Sequence, residues 1–334
     1  MKRWTNLALF VLLGSAFTTG WVAFFYGTAP SRWSLIIHAS SGFAIVALTP
    51  WKSVIAAHGI KRRRPGWTMS LVFTLLVLVS VLAGLLHSSG LLRQVGWISA
   101  MEVHVGAALI ALPLAVWHVI ARWIPLRGTD LSRRSLLRGG VLLGAAGLGY
   151  AATEILARVT NLPGAQRRFT GSYELGSLQP EQLPVTQWMF DPVKITNVSS
   201  WRLAIDTGAA TRYWTYDQLL AFNDQIRATL DCTGGFYSEQ IWSGVWLHRL
   251  LPATPEALSL LVRSSTGYTR RFPIDEAPRL LVATRLGGVP LDPGHGFPVR
   301  LVAPNRRGFW WVKWVVTISA EQFPSWWQVP FPTQ

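Results

Sequence analysis

Residues 131–152 read LSRRSLLRGGVLLGAAGLGYAA. A paired arginine ahead of a mild apolar run is the layout of a twin-arginine export signal, which normally stands at the extreme N-terminus of a chain. Here it lies well inside, and the sequence changes character around it. Long apolar runs fill the part before about residue 157. The remainder alternates apolar and polar residues and is studded with Pro and Gly, so two parts with two solvents are implied.

Composition agrees with a chain that is only partly soluble. Of 334 residues, 50% are hydrophobic and only 14% charged, with 18 tryptophans. The formal charge of +15 would suggest nucleic acid in a soluble protein, but much of it flanks apolar spans, as in KRRR at 61–64. Membrane topology explains it, and no nucleic-acid partner is expected.

Apolar stretches long enough to cross roughly 30 Å of hydrocarbon fall at 7–27, 33–57, 68–89, 97–121 and 139–157. Basic residues gather at Lys2 and Arg3, at 61–64, and from Arg122 through Arg138, whereas the intervening loops carry little beyond Arg32 and Arg93. The positive-inside rule then predicts a cytoplasmic N-terminus, and five spans place the C-terminal half outside. Trp33, Trp67 and Trp97 stand at span ends as interfacial anchors. The MKR opening resembles a secretory signal but lacks a small-residue cleavage site, so the first span is expected to be retained.

Five of the seven histidines are in this half: His38, His58, His87, His104 and His118. Ionisable side chains inside a membrane are functional candidates by default. HASSGFAIVALTPWK from His38 and HVGAALIALPLAVWH from His104 form a weak internal repeat. Spans two and four run in the same direction, which puts His38 and His104 at matching depth near the outer surface. Two imidazoles so placed on facing helices are what an axially coordinated haem needs. His118, fourteen residues on, would lie about 21 Å deeper at 1.5 Å per residue, where a second, inner haem is possible. Its counterpart by repeat is Lys52; the alternative, His58, matches in depth only if Pro50 shortens the second helix. His87 is a competing outer ligand, and a structural hydrogen bond is the competing explanation for any of these rings. The His-X13-His spacing resembles the membrane cytochromes b, over about residues 5–123.

From about residue 165 strand-like runs, WRLAID, SLLVRSS, PVRLVAP and WWVKWVVTISA, are separated by Gly and Pro turns, and TYDQLLAFN reads as a short helix capped by Thr. The single cysteine, Cys232, cannot form an internal disulfide; before GG it is either a small buried hydrophobe or a soft metal ligand. Arg270, Arg271, Arg306 and Arg307 read best as solvated surface charges, with an anionic substrate border as the alternative.

WRLAI (201–205), DCTGG (231–235), WSGVWLHRLL (242–251) and HGFPVRLVAPNRRGFWWVKWV (295–315) together resemble the sulfite-oxidase-like molybdopterin domain, also found in periplasmic methionine sulfoxide reductases. The resemblance covers about residues 180–320. It implies that Cys232 gives its thiolate to molybdenum and is the catalytic metal ligand. It also implies that His295, Arg300 and Lys313 contact the anionic pterin phosphate, and that Gly296 and Gly308 permit close backbone approach. Animal sulfite oxidases follow the cysteine with an Asn-Arg segment where this chain has TGGFYS, which argues against carrying sulfite over as substrate.

The expected architecture is a multi-domain membrane protein: an all-α four-helix transmembrane bundle (1–125), a twin-arginine motif with a fifth anchor helix and linker (126–165), and an α+β, mainly β, molybdopterin domain outside the cell membrane (166–334). Because pterin cofactors are inserted in the cytoplasm, as the resemblance implies, that domain folds before it crosses. Arg133 and Arg134 would then hand the chain from the Sec-type route to the Tat route. The expected function is a molybdenum oxidoreductase that exchanges electrons through haem b with a quinone or other carrier. Alternatives are a sulfoxide or N-oxide reductase drawing on quinol and, in another class, a non-catalytic membrane assembly or cofactor-binding protein.

Overall fold

The computed structural model describes residues 2–61, 65–96, 98–123, 125–187, 191–251 and 257–329. Most of the basic run 61–64, and Trp97, lie outside the described residues. The chain divides into two compact units, Met1–Tyr173 and Glu174–Gln334.

The first unit contains α1 (Lys2–Phe25), α2 (Ser31–Lys61), α3 (Trp67–Ser89), a hairpin of β1 (Gln94–Val95) and β2 (Ile98–Ser99), α4 (Ala100–Ala121) and α5 (Arg133–Val159). All five helices are long and apolar enough to cross a membrane. Their outward faces carry Leu, Ile and Val, for example Val11, Leu75, Ile110 and Val141, which water would not tolerate in such numbers. α4 starts at a capping box in which Ser99 accepts from the Glu102 amide and Glu102 from the Ser99 amide. α5 starts six residues earlier than hydropathy predicts, because the Ser132 hydroxyl caps it by accepting from the Ser135 amide. α2 runs unbroken through Pro50.

α1 pairs with α2, and α3 with α4. α5 packs with the first two helices: Ala146 is buried with Leu12, Ala44, Ile45 and Leu48, and so belongs to the same core as α1 and α2. Small residues allow that approach at Ala146 and at Gly149, whose absent Cβ would stand 3.6 Å from Phe43 Cδ1. At the end of α3, the Tyr173 hydroxyl donates to the His87 carbonyl (2.5 Å) and His87 Nε2 to the Gly171 carbonyl (2.9 Å), which places the linker after α5 in this unit.

The second unit is mixed. After β3 (Tyr173–Glu174) at the boundary come β4 (Arg202–Asp206), β5 (Thr211–Thr215), α6 (Tyr216–Leu220), β6 (Asp224–Asp231), β7 (Phe236–Trp246), α7 (Leu247–Leu250), β8 (Ser259–Ser264), β9 (Thr269–Pro273), β10 (Leu281–Leu286), β11 (Val289–Pro290), β12 (Arg300–Val302) and β13 (Val315–Glu321). One sheet runs β5-β4-β13-β8-β9, in which only the β4–β13 pair is parallel. In the other, β10 lies between β7 and both β11 and β12, and β6 pairs along β7. Alternation along the strands buries Leu203 and Ile205 from β4, Leu260 and Val262 from β8, and Ile318 from β13 without exposure.

Candidate functional site

In the second unit, β6 ends at Asp231, and the β6–β7 turn begins with Cys232. Its amide donates to the Phe236 carbonyl (2.8 Å), and its carbonyl accepts from the Gly235 amide (3.1 Å). The sulfur is left half-buried, accepting from the Gly234 amide at 3.3 Å and lying 3.7 Å from Thr186 Oγ1. Burial pushes the thiol pKa up, against the opposing pull of the Gly234 amide and the Thr186 hydroxyl. Cys232 is therefore a thiol at neutral pH, and a metal bound there would have to displace its proton.

Arg307 clamps this turn from the opposite side, donating from Nη2 to the Cys232 carbonyl (3.0 Å) and from Nε to the Asp231 carbonyl (3.3 Å). Next to it, a Cβ built on Gly308 would stand 3.2 Å from Cys232 Cα, so a side chain there would push the loop and the cysteine turn apart by a few tenths of an ångström.

The HGFPVR segment supplies the cationic side. Gly296 is at φ 106°, beyond the reach of ordinary side chains, and its absent Cβ would meet Arg300 and Lys313 Cβ at 3.1 Å each. Arg300 is 2% exposed, donates to the carbonyls of His295 (3.3 Å) and Trp311 (3.4 Å), and lies over the rings of Trp242 and Trp311. Its Nε is buried without a partner. Burial pushes its pKa down to about 10 even though Asp292 and Cys232 hold it up. Lys313 Nζ donates to the Thr186 and Gly294 carbonyls at 2.6 Å each. Thr186 thereby touches both the sulfur and the ammonium.

His295 is placed differently from what the resemblance implies. Its Nδ1 meets Asp292 Oδ2 at 2.5 Å and its Nε2 the Leu183 carbonyl at 3.1 Å, so both ring nitrogens already face protein acceptors. Burial keeps its pKa below the ordinary value although Asp292 pulls it back up. It latches the 292–296 turn rather than presenting a free N–H.

Solvation is overturned for two of the four arginines read as surface charges. Arg270 is 1% exposed, in a box of Tyr268, Phe309 and Trp310 rings, and Arg307 is 4% exposed. Arg271 pairs with Glu321 and Arg306 with Glu276. For Arg270 the aromatic-rich text hid burial, because surrounding rings stabilise a desolvated guanidinium without a carboxylate, whereas the buried Arg307 has its Nε 3.3 Å from Asp231 Oδ1.

These residues fit a bulky anionic group bonded through sulfur: a soft donor at a turn, a buried guanidinium with its Nε unpaired, an ammonium bonded to two carbonyls, and two glycines where the backbone passes closely. Thr186 and Asp292 were not singled out from the sequence, and Arg307 was read there as a surface charge rather than as a clamp on the cysteine turn. Only Asp292, three residues ahead of His295 as an N-cap, left a local signal.

One expected outcome follows from Lys313, whose pKa is pushed down to about 7 by burial and then by the Arg300 charge. The unfolded chain keeps this proton to the ordinary 10.5, so between those values the unfolded state binds more protons and Lys313 makes the cofactor-free domain gain stability as pH rises. Tryptophan-monitored denaturation of cofactor-free protein should show that slope, flattened in Lys313→Met; an equal slope in the variant would refute it.

In the first unit, His38 and His104 come together with ring centroids 5.6 Å apart and planes at 87°. His38 Nδ1 bonds the Ala16 carbonyl and His104 Nδ1 the Ser80 carbonyl, each at 2.7 Å. A carbonyl accepts only, so both Nδ1 atoms carry the proton and both Nε2 atoms keep a lone pair for a metal. The donor set fits a bis-imidazole haem. His87, by contrast, gives its Nε2 to Gly171.

The inner residues are not assembled in this way. His118 Nδ1 lies 3.2 Å from Ser70 Oγ and its ring against Phe73 and Trp117, whereas His58 is exposed and its Nδ1 faces the Val54 carbonyl of its own helix. Lys52 Nζ instead donates to Asn6 Oδ1 at 2.9 Å.

The mixed α+β unit, with its cysteine turn facing buried cations, is the part of the chain that is similar to molybdopterin-binding oxidoreductases. Residues 190–327 match the family described as oxidoreductase molybdopterin binding domain. The chain is 27% identical over 128 residues to the uncharacterized oxidoreductase YuiH of Bacillus subtilis, covering 34% of this chain and 65% of that protein. To the inducible nitrate reductase 2 (NADH) of Glycine max it is 28% identical over 168 residues, covering 38% of this chain and 19% of the relative. Among solved structures, the sulfane dehydrogenase SoxCD from Paracoccus pantotrophus aligns at 24% identity and a TM-score of 0.37, covering 39% of this chain and 40% of that one. The chain thus spans less than two thirds of the length of the relatives it matches, and the likeness concerns the C-terminal unit.

Proposed function

We propose that this protein is a membrane-anchored molybdenum oxidoreductase whose extracytoplasmic domain exchanges electrons, through a haem b in its membrane helices, with a quinone or another carrier. The observation that carries the reading is the convergence of Cys232 with Arg300 and Lys313 in one glycine-cleared site. When bound, a molybdenum pterin supplies oxo transfer coupled to two-electron redox change. The chain's part is to hold and orient it. Cys232 binds the metal, helped by the Gly234 amide that favours the thiolate form. Lys313 and Arg300 neutralise the anionic cofactor, and Asp292 and His295 hold their loop in place.

Below the membrane surface His38 and His104 hold the haem, and the basic inner ends of the helices keep the N-terminus cytoplasmic. Arg133 and Arg134 direct the folded domain to the twin-arginine route, and Tyr173 with His87 ties the linker to the end of α3.

Metal analysis of detergent-purified chain, expressed in a host that makes the pterin, tests this reading. One molybdenum and one haem iron per chain are expected. Molybdenum without iron would reduce the helices to an anchor, and absence of both would refute the enzyme reading.

A further inference from the structure

The two histidine contacts of the membrane unit repeat one construction. On α1 the acceptor is Ala16 and the residue four later is Gly20; on α3 the acceptor is Ser80 and the residue four later is Gly84. A Cβ on Gly20 would stand 2.9 Å from His38 Nδ1 and Cε1, and one on Gly84 would stand 2.9 Å from His104 Nδ1 and 3.2 Å from its Cε1. The spacing has a physical cause. A helical side chain leans toward the N-terminus and covers the turn before it. The residue four positions on therefore shields the carbonyl from a neighbouring helix unless it is glycine. Without a Cβ, each carbonyl accepts a second hydrogen bond from an imidazole that lies flat against the helix.

The repeat extends deeper. Asn6–Lys52 and Ser70–His118 are contacts ten residues earlier on the first helix and fourteen later on the second, in both hairpins. Phe10 and Thr74 stand four residues after those acceptors, so this lower level has no glycine, and one of its bases is lysine. Only the upper level is built to press two imidazoles against backbone.

We propose that Gly20 and Gly84, acting with the carbonyls of Ala16 and Ser80, are positioning residues that hold His38 and His104 as a crossed pair of axial haem ligands. The inference rests on the haem reading above and adds to it the orientation of the ligands. Each ring is fixed by a hydrogen bond on one edge and a glycine under it, and the two hairpins present these rings at 87° to one another. In a low-spin ferric haem, crossed imidazole planes leave two iron orbitals nearly degenerate and give a strongly axial electron paramagnetic resonance spectrum. Parallel planes split those orbitals and give a rhombic one.

The test uses the full chain in detergent. Wild-type protein is expected to give the strongly axial low-spin signal. Gly20→Ala and Gly84→Ala should each lose it, to a rhombic or high-spin signal with lowered haem content, because the added methyl displaces the ring. Gly14→Ala and Gly106→Ala, on α1 and α4 with nothing within 4 Å of the new Cβ, should keep the wild-type spectrum. Circular dichroism confirms that helix content is retained in the variants compared. A rhombic wild-type spectrum overturns the proposal without recourse to any variant. So do Gly20→Ala and Gly84→Ala proteins that match the two controls; in both cases the haem reading stands. Wild-type chain purified without haem refutes that reading itself, and the proposal with it.

Discussion

Cys232→Ser is expected to abolish turnover while leaving the fold intact. Serine keeps the size of the side chain, and the contacts that shape the turn are made by the backbone: the Cys232 amide to Phe236, its carbonyl to Gly235 and to Arg307. What is lost is the soft ligand, because a serine hydroxyl does not ionise where burial already raises the pKa of a thiol. Removing even an outer partner of a metal ligand costs about 10- to 100-fold, so loss of the ligand itself should exceed that range. Molybdenum content, pterin content and the absorption of the oxidised centre would be measured alongside turnover with an artificial electron acceptor. A serine variant that keeps its activity would remove Cys232 from the site and leave the cationic loop without a metal to serve.

The second large effect concerns export. Arg133→Lys together with Arg134→Lys preserves every charge, and topology set by charge alone would be unchanged. The geometry argues that the pair is kept for more than charge. Both arginines are exposed in the first turn of α5, which contains no acidic residue, so two positive charges sit at the positive end of the helix dipole. Nearby, Asp130 is held by Arg3 rather than by either of them. Such a placement is mildly unfavourable for the helix, and the proposed export role would account for it through recognition of the guanidinium groups themselves. The double lysine variant should leave the C-terminal unit in the cytoplasm, seen as loss of protease accessibility from outside intact spheroplasts. Accessibility equal to the wild type would return the pair to the role of a positive-inside cluster.

Some of this protein was determined by the sequence alone, and the reason is locality. The five spans are runs of apolar residues, and length against bilayer thickness is sufficient to identify them; their described residues lie within observed helices except at 26–27, beyond the end of α1, and 98–99, ahead of α4. Equal helix rise put His38 and His104 at one depth, and the structure finds their rings together. Cys232 before GG and the HGFPVR loop were legible because turns are built from neighbours in the chain. The oxidoreductase class of the C-terminal unit was legible through the same motifs.

Tertiary structure decided what depends on the azimuth of one element against another. Apolar period does not show which carbonyl a histidine will meet, so Ala16, Gly20, Ser80 and Gly84 carried no signal. The repeat offered Lys52 as the counterpart of His118, with His58 as the alternative only if Pro50 shortened the helix; packing puts Lys52 against Asn6, at the level where His118 meets Ser70, and leaves His58 exposed. Arg270 looked like surface charge, and only three rings brought together by the fold made its burial possible. Thr186 reaches the sulfur of Cys232 and the ammonium of Lys313 across 46 and 127 residues of chain, a distance over which sequence pattern has no reach and only the closed fold brings groups together.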